Sequence, residues 1–456
     1  MRETTIETAV NERTGESYKI VHHKSGLDLL LAPMEGFVQT AAMFGTNYGS
    51  VNNCFKTSED ADFLTIFSAG EKVYRVLKAR HSNNCFKTSE DADFLTVPDG
   101  IAHYLEHKLF ENEDSDVFEL YAATGADGNA MTGFEDTIYL FTCTENYAES
   151  LKILLDFVQD PYFTQENVDK EQGIIGQEIK MTMDLPNRKC FFNLLGALYA
   201  AHPVRNDIAG TVKSIAQITP ELLYRCYYAF YNLHNMALAV AGNLDVDDVI
   251  AICDEHLKPC EDMNLEVKFP EEPSLPVKPL VEEHFSVGVP IFSIGFKCAP
   301  YADDVIVKKE VEANILLSLL AGKMSPLYKR LTEEGLVNGE LGREVFDGRG
   351  YFSLVLSGQS EQPEKVRDAV LEHIEKAKRE GLDREAFDLL KKAEYGSAVR
   401  EMNNPESCAE NMLAFYFYGL DAFEAERRLA EITFEDVEAA LDEFFAEERC
   451  AISIIR

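Results

Sequence analysis

The chain has 456 residues, 46% of them hydrophobic, and a formal net charge of −36. That length is too great for one core, so two or more domains are expected, and the hydrophobic content excludes wholesale disorder. The charge excludes nucleic acid as an expected partner, because neutralising phosphates takes clustered Lys and Arg.

Residues 1–14 are polar and carry charges of both signs. They show neither the apolar run of a secretory signal nor the Arg-rich, acid-poor pattern of a transit peptide. The apolar run Leu29–Met34 is too short to span a bilayer. Ten cysteines are scattered along the chain with no C-x-x-C pair. They read as reduced thiols, not as a thiolate zinc site. A cytoplasmic protein without a membrane segment is the expectation.

The stretch NNCFKTSEDADFLT occupies 52–65 and recurs without a mismatch at 83–96. Repeat architectures need several diverged copies, so this perfect pair within 52–96, offset by 31 residues, reads as a recent duplication or a sequence-assembly artefact. The intervening residues 68–80 suit a short helix.

Residues 98–111 read PDGIAHYLEHKLFE. Asp99 and Gly100 punctuate the chain, and Ile101, Leu105 and Leu109 then recur at helical spacing. His103 and His107 are four apart on that helix, so both imidazoles project from one face. Two ligands of a tetrahedral zinc need that separation. Glu106 lies on the same side and can reach a water at the metal without being a ligand. The pattern H-x-x-E-H is the inverted zinc-peptidase motif.

A third ligand should be a carboxylate downstream. The segment 166–186, ENVDKEQGIIGQEIKMTMDLP, reads as a helix on which Glu171 and Glu178 are two turns apart and share a face. Beside them Ile174, Ile175 and Ile179 form an apolar stripe. A carboxylate in such company normally points at something positive. The alternative is a pair of solvated surface acids in a very acidic chain.

Two further features concern organisation. Ile218–Gly242 and Ile432–Arg456 each open with Thr before an acidic first turn, then run as an amphipathic helix into a short apolar strand. This echo has two readings: helix-then-strand units are common, or the chain holds two α+β domains of similar fold. Between them, 269–280 (FPEEPSLPVKPL) has four prolines in twelve residues, which suits an extended tether. The expected division is a metal-binding domain at 1–268, a Pro-rich linker at 269–282 and a second domain at 283–456.

These motifs resemble the pitrilysin/insulinase family of zinc metallopeptidases, especially its small bacterial members related to mitochondrial processing peptidase. The resemblance covers nearly the whole chain. VPDGIAHYLEHKLFE is similar to the zinc-helix signature, and GADGNAMTGFEDTIYLF (125–141) to the family's Asn-Ala strand beside the active site. EQGIIGQEIKMTMDLP resembles the helix of the third ligand, and HPVRNDIAGTVKSIAQIT (202–219) the segment closing the first domain.

The resemblance implies two homologous α+β domains, each a mixed or antiparallel sheet with helices on it, facing across a cleft around an unfolded peptide. It implies one Zn2+ per chain on His103, His107 and Glu178, with Glu106 as general base and Glu171 as the supporting acid. Asn129 and Ala130 would pair with the substrate backbone. The implied activity is endopeptidase cleavage of peptides or unfolded segments. The alternative is a catalytically silent scaffold or peptide-binding subunit of the same fold.

One departure bears on partners. The family's second domain carries an Arg and a Tyr in a stretch resembling R-E-x-x-G-L-x-Y. Here 330–342 reads RLTEEGLVNGELG, and alignment on Gly335 and Leu336 puts Leu331 and Asn338 at those places, with Arg330 one residue out of register. A paralogous subunit supplying the Arg/Tyr pair is therefore expected, with this chain as the zinc-bearing half of a heterodimer.

Overall fold

Strands form where apolar and β-branched residues are buried on both faces, and the central ones read as unbroken apolar runs. In the computed structural model, which describes residues 3–57, 66–69, 72–75, 94–111 and 117–456, MALAVAG (Met236–Gly242) and CAISII (Cys450–Ile455) are buried throughout. Each is a central strand of its own sheet.

The first sheet has seven strands, in the spatial order Thr5–Val10, Ser17–His22, Asp28–Pro33, Met236–Gly242, Thr40–Thr46, Thr137–Cys143 and Asp127–Thr132. The second has five: Leu280–Glu283, Cys450–Ile455, Ile291–Lys297, Tyr351–Gln359 and Gly342–Gly348. The last five strands of the first sheet match the second one for one. Asp28–Pro33 is parallel to Met236–Gly242, as Leu280–Glu283 is to Cys450–Ile455, and every other neighbouring pair in both series is antiparallel. The echoed helix-strand segments end in the two equivalent central strands. The α+β class and the duplicated fold are therefore both present.

Two compact units contain these sheets. One comprises Met1–Ile179, Asp207–Phe269 and Asn404–Phe417; the other comprises Lys180–Asn206, Pro270–Asn403 and Tyr418–Arg456. Neither is a single stretch of chain. In the first unit, the helix Pro405–Phe417 packs on the strands Met236–Gly242 and Thr40–Thr46. In the second, the helix Pro186–Leu198 packs on the equivalent strands, Cys450–Ile455 and Ile291–Lys297. Both helices approach a glycine at the matching strand position. A Cβ on Gly45 would lie 3.2 Å from Leu413, and one on Gly295 would lie 2.8 Å from Leu198.

The Pro-rich stretch is irregular until Leu280, where it becomes a strand of the second sheet. Its Glu272 is held in that unit, accepting from the backbone N–H groups of Ala200, Ala201 and His202 and pairing with the buried Lys297 at 2.7 Å.

Of the duplicated segment, the start of copy one and the end of copy two are described. Cys54–Lys56 pairs antiparallel with Leu95–Thr96 on one side and with Glu266–Val267 on the other. The short helix expected over 68–80 falls mostly outside the described residues. The described backbone there pairs Ile66–Ala69 with Lys72–Arg75 as an antiparallel ribbon, in keeping with the β-forming Val-Tyr pair at its centre. No helix among the described residues is long and apolar enough to cross a membrane.

Candidate metal centre

The helix bearing the H-x-x-E-H motif spans Ile101–Leu109 and buries Ile101, Ala102, Tyr104, Leu105, Lys108 and Leu109. That leaves His103, Glu106 and His107 on the less buried side. Its start is fixed by backbone contact. Gly100 has φ 93°, and a Cβ there would lie 2.5 Å from the carbonyl oxygen of Ala209; Gly210, at φ 71°, meets the Asp99 carbonyl just as closely. Only glycine combines that conformation with that approach. On the buried side, Tyr104 OH donates to the Val168 carbonyl at 2.5 Å. This bond joins the motif helix to the helix Gln165–Met183, which carries Glu171 and Glu178.

The two helices bring the three expected ligands together. His103 Nε2 lies 3.5 Å from Glu178 Oε1, and His107 Nε2 lies 3.4 Å from Glu178 Oε2. One donor atom from each of these residues falls within a common 4.8 Å. A tetrahedral metal with ligands at 2.0–2.1 Å has ligand-to-ligand edges of about 3.3 Å; each imidazole lies near that distance from a carboxylate oxygen, His103 from Oε1 of Glu178 and His107 from Oε2. The donor set also fits: two imidazoles and a carboxylate leave a fourth position open, as catalytic zinc requires.

Glu171 is 7% exposed and accepts from His107 Nδ1 at 3.0 Å. That bond fixes the tautomer and turns Nε2 toward Glu178. Burial disfavours a charged His107, but the Glu171 hydrogen bond and the charges of Glu106, Glu171 and Glu178 outweigh it and raise its pKa. Glu106 shifts upward too, chiefly through burial, with the Thr132 hydrogen bond and His107 opposing and Glu178 adding to the rise.

Asn129 and Ala130 lie on Asp127–Thr132, which ends the seven-stranded sheet and, among the described residues, pairs with Thr137–Cys143 alone. Both residues line a cavity of about 650 Å³ together with Glu106, His107 and Glu171. Its remaining walls are Phe110, Glu111, Phe118, Lys170 and Ile174. Phe110 and Phe118 stack with ring centroids 4.7 Å apart. Burial pushes the Glu111 carboxyl up, but its bonds to the fully buried Lys108 and to Lys170 prevail and hold it below the ordinary range.

Sequence reasoning missed two parts of this site. The first is Thr132, whose hydroxyl donates to Glu106 Oε2 at 2.5 Å. Strand alternation was the available signal, since Thr132 falls on the same face as Ala130. The second is the aromatic wall. Phe110 ends the motif helix and Phe118 stands in the next helix, Val117–Thr124, a pairing that periodicity does not reveal.

Residues 97–212 match the model of the insulinase family, peptidase family M16, and 217–394 match the M16 inactive domain. The chain is 35% identical over 441 residues to the uncharacterized zinc protease YmfH of Bacillus subtilis, covering 95% of each chain. It belongs to the M16 insulinase family. An M16-like peptidase from Alicyclobacillus acidocaldarius shares the M16 fold along its whole length, with TM-score 0.84 and 30% identity over 100% of this chain and 99% of that one. A Helicobacter pylori protease at 15% identity has the same fold, with TM-score 0.76 and 100% of both chains covered. In this M16 chain, His103, His107 and Glu178 all fall within the span that matches the insulinase model, and none lies within the inactive-domain match.

Proposed function

We propose that the chain is a zinc endopeptidase acting on peptides or unfolded polypeptide segments, and the zinc-bearing subunit of a heterodimer. The observation that carries this reading is the convergence of His103, His107 and Glu178 at ligand spacing, with Glu106 beside them. Membership of a peptidase family supports it, as does the word "zinc" in the name of the Bacillus subtilis relative.

In this reading His103, His107 and Glu178 hold one zinc. Bound there, zinc supplies Lewis acidity toward the scissile carbonyl and toward water. Glu106 takes the proton of the attacking water and returns it to the leaving amine. Its burial suits it to the first of these transfers, because a carboxylate whose pKa is shifted upward is a stronger base than a solvated one. Glu171 holds the His107 ring in place. The edge strand carrying Asn129 and Ala130 would pair with an extended substrate, whose backbone would replace the Asn129 Oδ1 that accepts from Ala130 N–H at 2.9 Å; such recognition reads extension and not sequence. Phe110, Phe118 and Ile174 give the adjoining cavity apolar walls for a substrate side chain.

The second unit supports the need for a partner. At the places where the family carries Arg and Tyr, Leu331 is fully buried and Asn338 is exposed. Arg330 is committed to Glu334 at 2.9 Å and to Glu372 at 2.7 Å. A paralogous subunit would supply the missing pair.

The test is cleavage of a fluorogenic peptide library by the chain alone and with such a paralogue. Cleavage should stop on chelation and in Glu106→Gln. Turnover by metal-free protein would refute the mechanism, and full activity without a partner would refute the heterodimer.

A further inference from the structure

We infer that Thr132 is a positioning residue for Glu106, fixing one carboxylate oxygen so that the other is aimed at the reacting water; this rests on the reading of Glu106 as general base. Thr132 is the last residue of the edge strand, and its hydroxyl donates to Glu106 Oε2 at 2.5 Å. A threonine hydroxyl has a single proton. Its other hydroxyl neighbour is Thr137 Oγ1, 3.4 Å away on the residue paired with it across the sheet.

Thr137 uses its own proton elsewhere. It is fully buried, and its Oγ1 donates at 2.8 Å to the carbonyl of Tyr48, which can only accept. Thr137 is thereby locked to the core, where the Tyr48 ring stacks on Phe230 with centroids 3.8 Å apart. The short partner left for the Thr132 proton is the Glu106 carboxylate. Hydrogen-bond counting thus gives the contact one direction.

The consequence is orientational. Glu106 stands on a helix and Thr132 on a strand, so the bond ties a side chain with three torsions to a second rigid element. A glutamate free to rotate would spend most of its time away from a productive geometry, and preorganisation of this kind speeds the chemical step without tightening substrate binding. The bond leaves the metal ligands alone, because Thr132 is no member of the cluster formed by His103, His107 and Glu178.

The experiment compares Thr132→Val, which keeps the shape and deletes the hydroxyl, with Thr132→Ser, which keeps the hydroxyl. Thr132→Val should lower kcat by about 10- to 100-fold, the size of a lost hydrogen bond to a charged group, with KM and zinc content unchanged. Thr132→Ser should restore kcat toward wild type. Crystal structures of the metal-free variants give a readout independent of turnover: Glu106 should keep its place in Thr132→Ser and leave it in Thr132→Val. An unchanged kcat in Thr132→Val, a raised KM in place of a lowered kcat, a Ser variant as slow as the Val variant, or an unmoved Glu106 would each overturn the inference. Glu106→Gln in the same assay separates this failure from failure of the base assignment, since that assignment falls only if Glu106→Gln still cleaves.

Discussion

His107 donates from Nδ1 to Glu171 at 3.0 Å while its Nε2 faces Glu178 at 3.4 Å, so two carboxylates of one helix hold opposite sides of one imidazole. Supporting carboxylates of this kind typically contribute 10- to 100-fold to metal affinity. Glu171→Ala should therefore weaken zinc binding by about that factor, measured by competition with a chromogenic chelator. Glu171→Gln, which retains an acceptor oxygen, should lose less. Equal affinity in wild type and Glu171→Ala would remove Glu171 from the account.

The duplication leads to a second prediction. The fold pairs the beginning of copy one with the end of copy two. Cys54 faces Thr96, Phe55 faces Leu95, and Asn53 bonds both Val97 N and Asp99, just ahead of the motif helix. Deleting 58–88 joins Thr57 to Ser89 and regenerates one perfect copy, NNCFKTSEDADFLT, while retaining every one of these residues. The shorter loop costs less closure entropy, by about 1 to 2 kcal/mol. The deletion variant should fold, bind zinc and unfold at an equal or higher temperature. Failure to fold would show that the fold requires the extra residues.

A third prediction concerns acid stability of the second unit. His202 is fully buried; its Nε2 donates to the Arg349 carbonyl at 3.0 Å, and its Nδ1 accepts from Val204 N at 3.2 Å. A proton on Nδ1 would face a donor. Burial is the main cause that lowers the pKa of this ring to about 4, with Lys297 assisting and the Arg349 carbonyl and Glu272 opposing. Between pH 6.5 and 4 the unfolded chain binds a proton that the folded one refuses, so stability falls as pH falls through that window and levels off below it. The loss is on the order of 3 kcal/mol. Urea unfolding of His202→Gln should lack this component of the slope between pH 7 and 4. A variant with the wild-type slope would contradict it.

The arrangement of the candidate site was legible because its geometry is local. Spacing of four puts His103 and His107 on one face, spacing of seven puts Glu171 and Glu178 on another, and each helix needed only to meet the other. The duplicated fold was legible for a similar reason, since the helix-strand echo marks the equivalent central strands. The exchanged helices were not. An amphipathic pattern in Pro186–Leu198 or Pro405–Phe417 says that a face is buried, not which sheet buries it. The prolines of 269–280 reported backbone conformation and were silent about Glu272, whose partner Lys297 lies in a strand. Thr132 escaped notice because a polar residue at a strand end ordinarily faces solvent.

The most direct test of the account is zinc content measured beside peptide cleavage in wild type, Glu106→Gln and Glu178→Ala. Wild type should hold about one zinc per chain and cleave when its partner is present; Glu106→Gln should hold the same zinc and not cleave; Glu178→Ala should lose both. Zinc retained at full occupancy in Glu178→Ala, or cleavage by Glu106→Gln, would contradict the assignment of this centre.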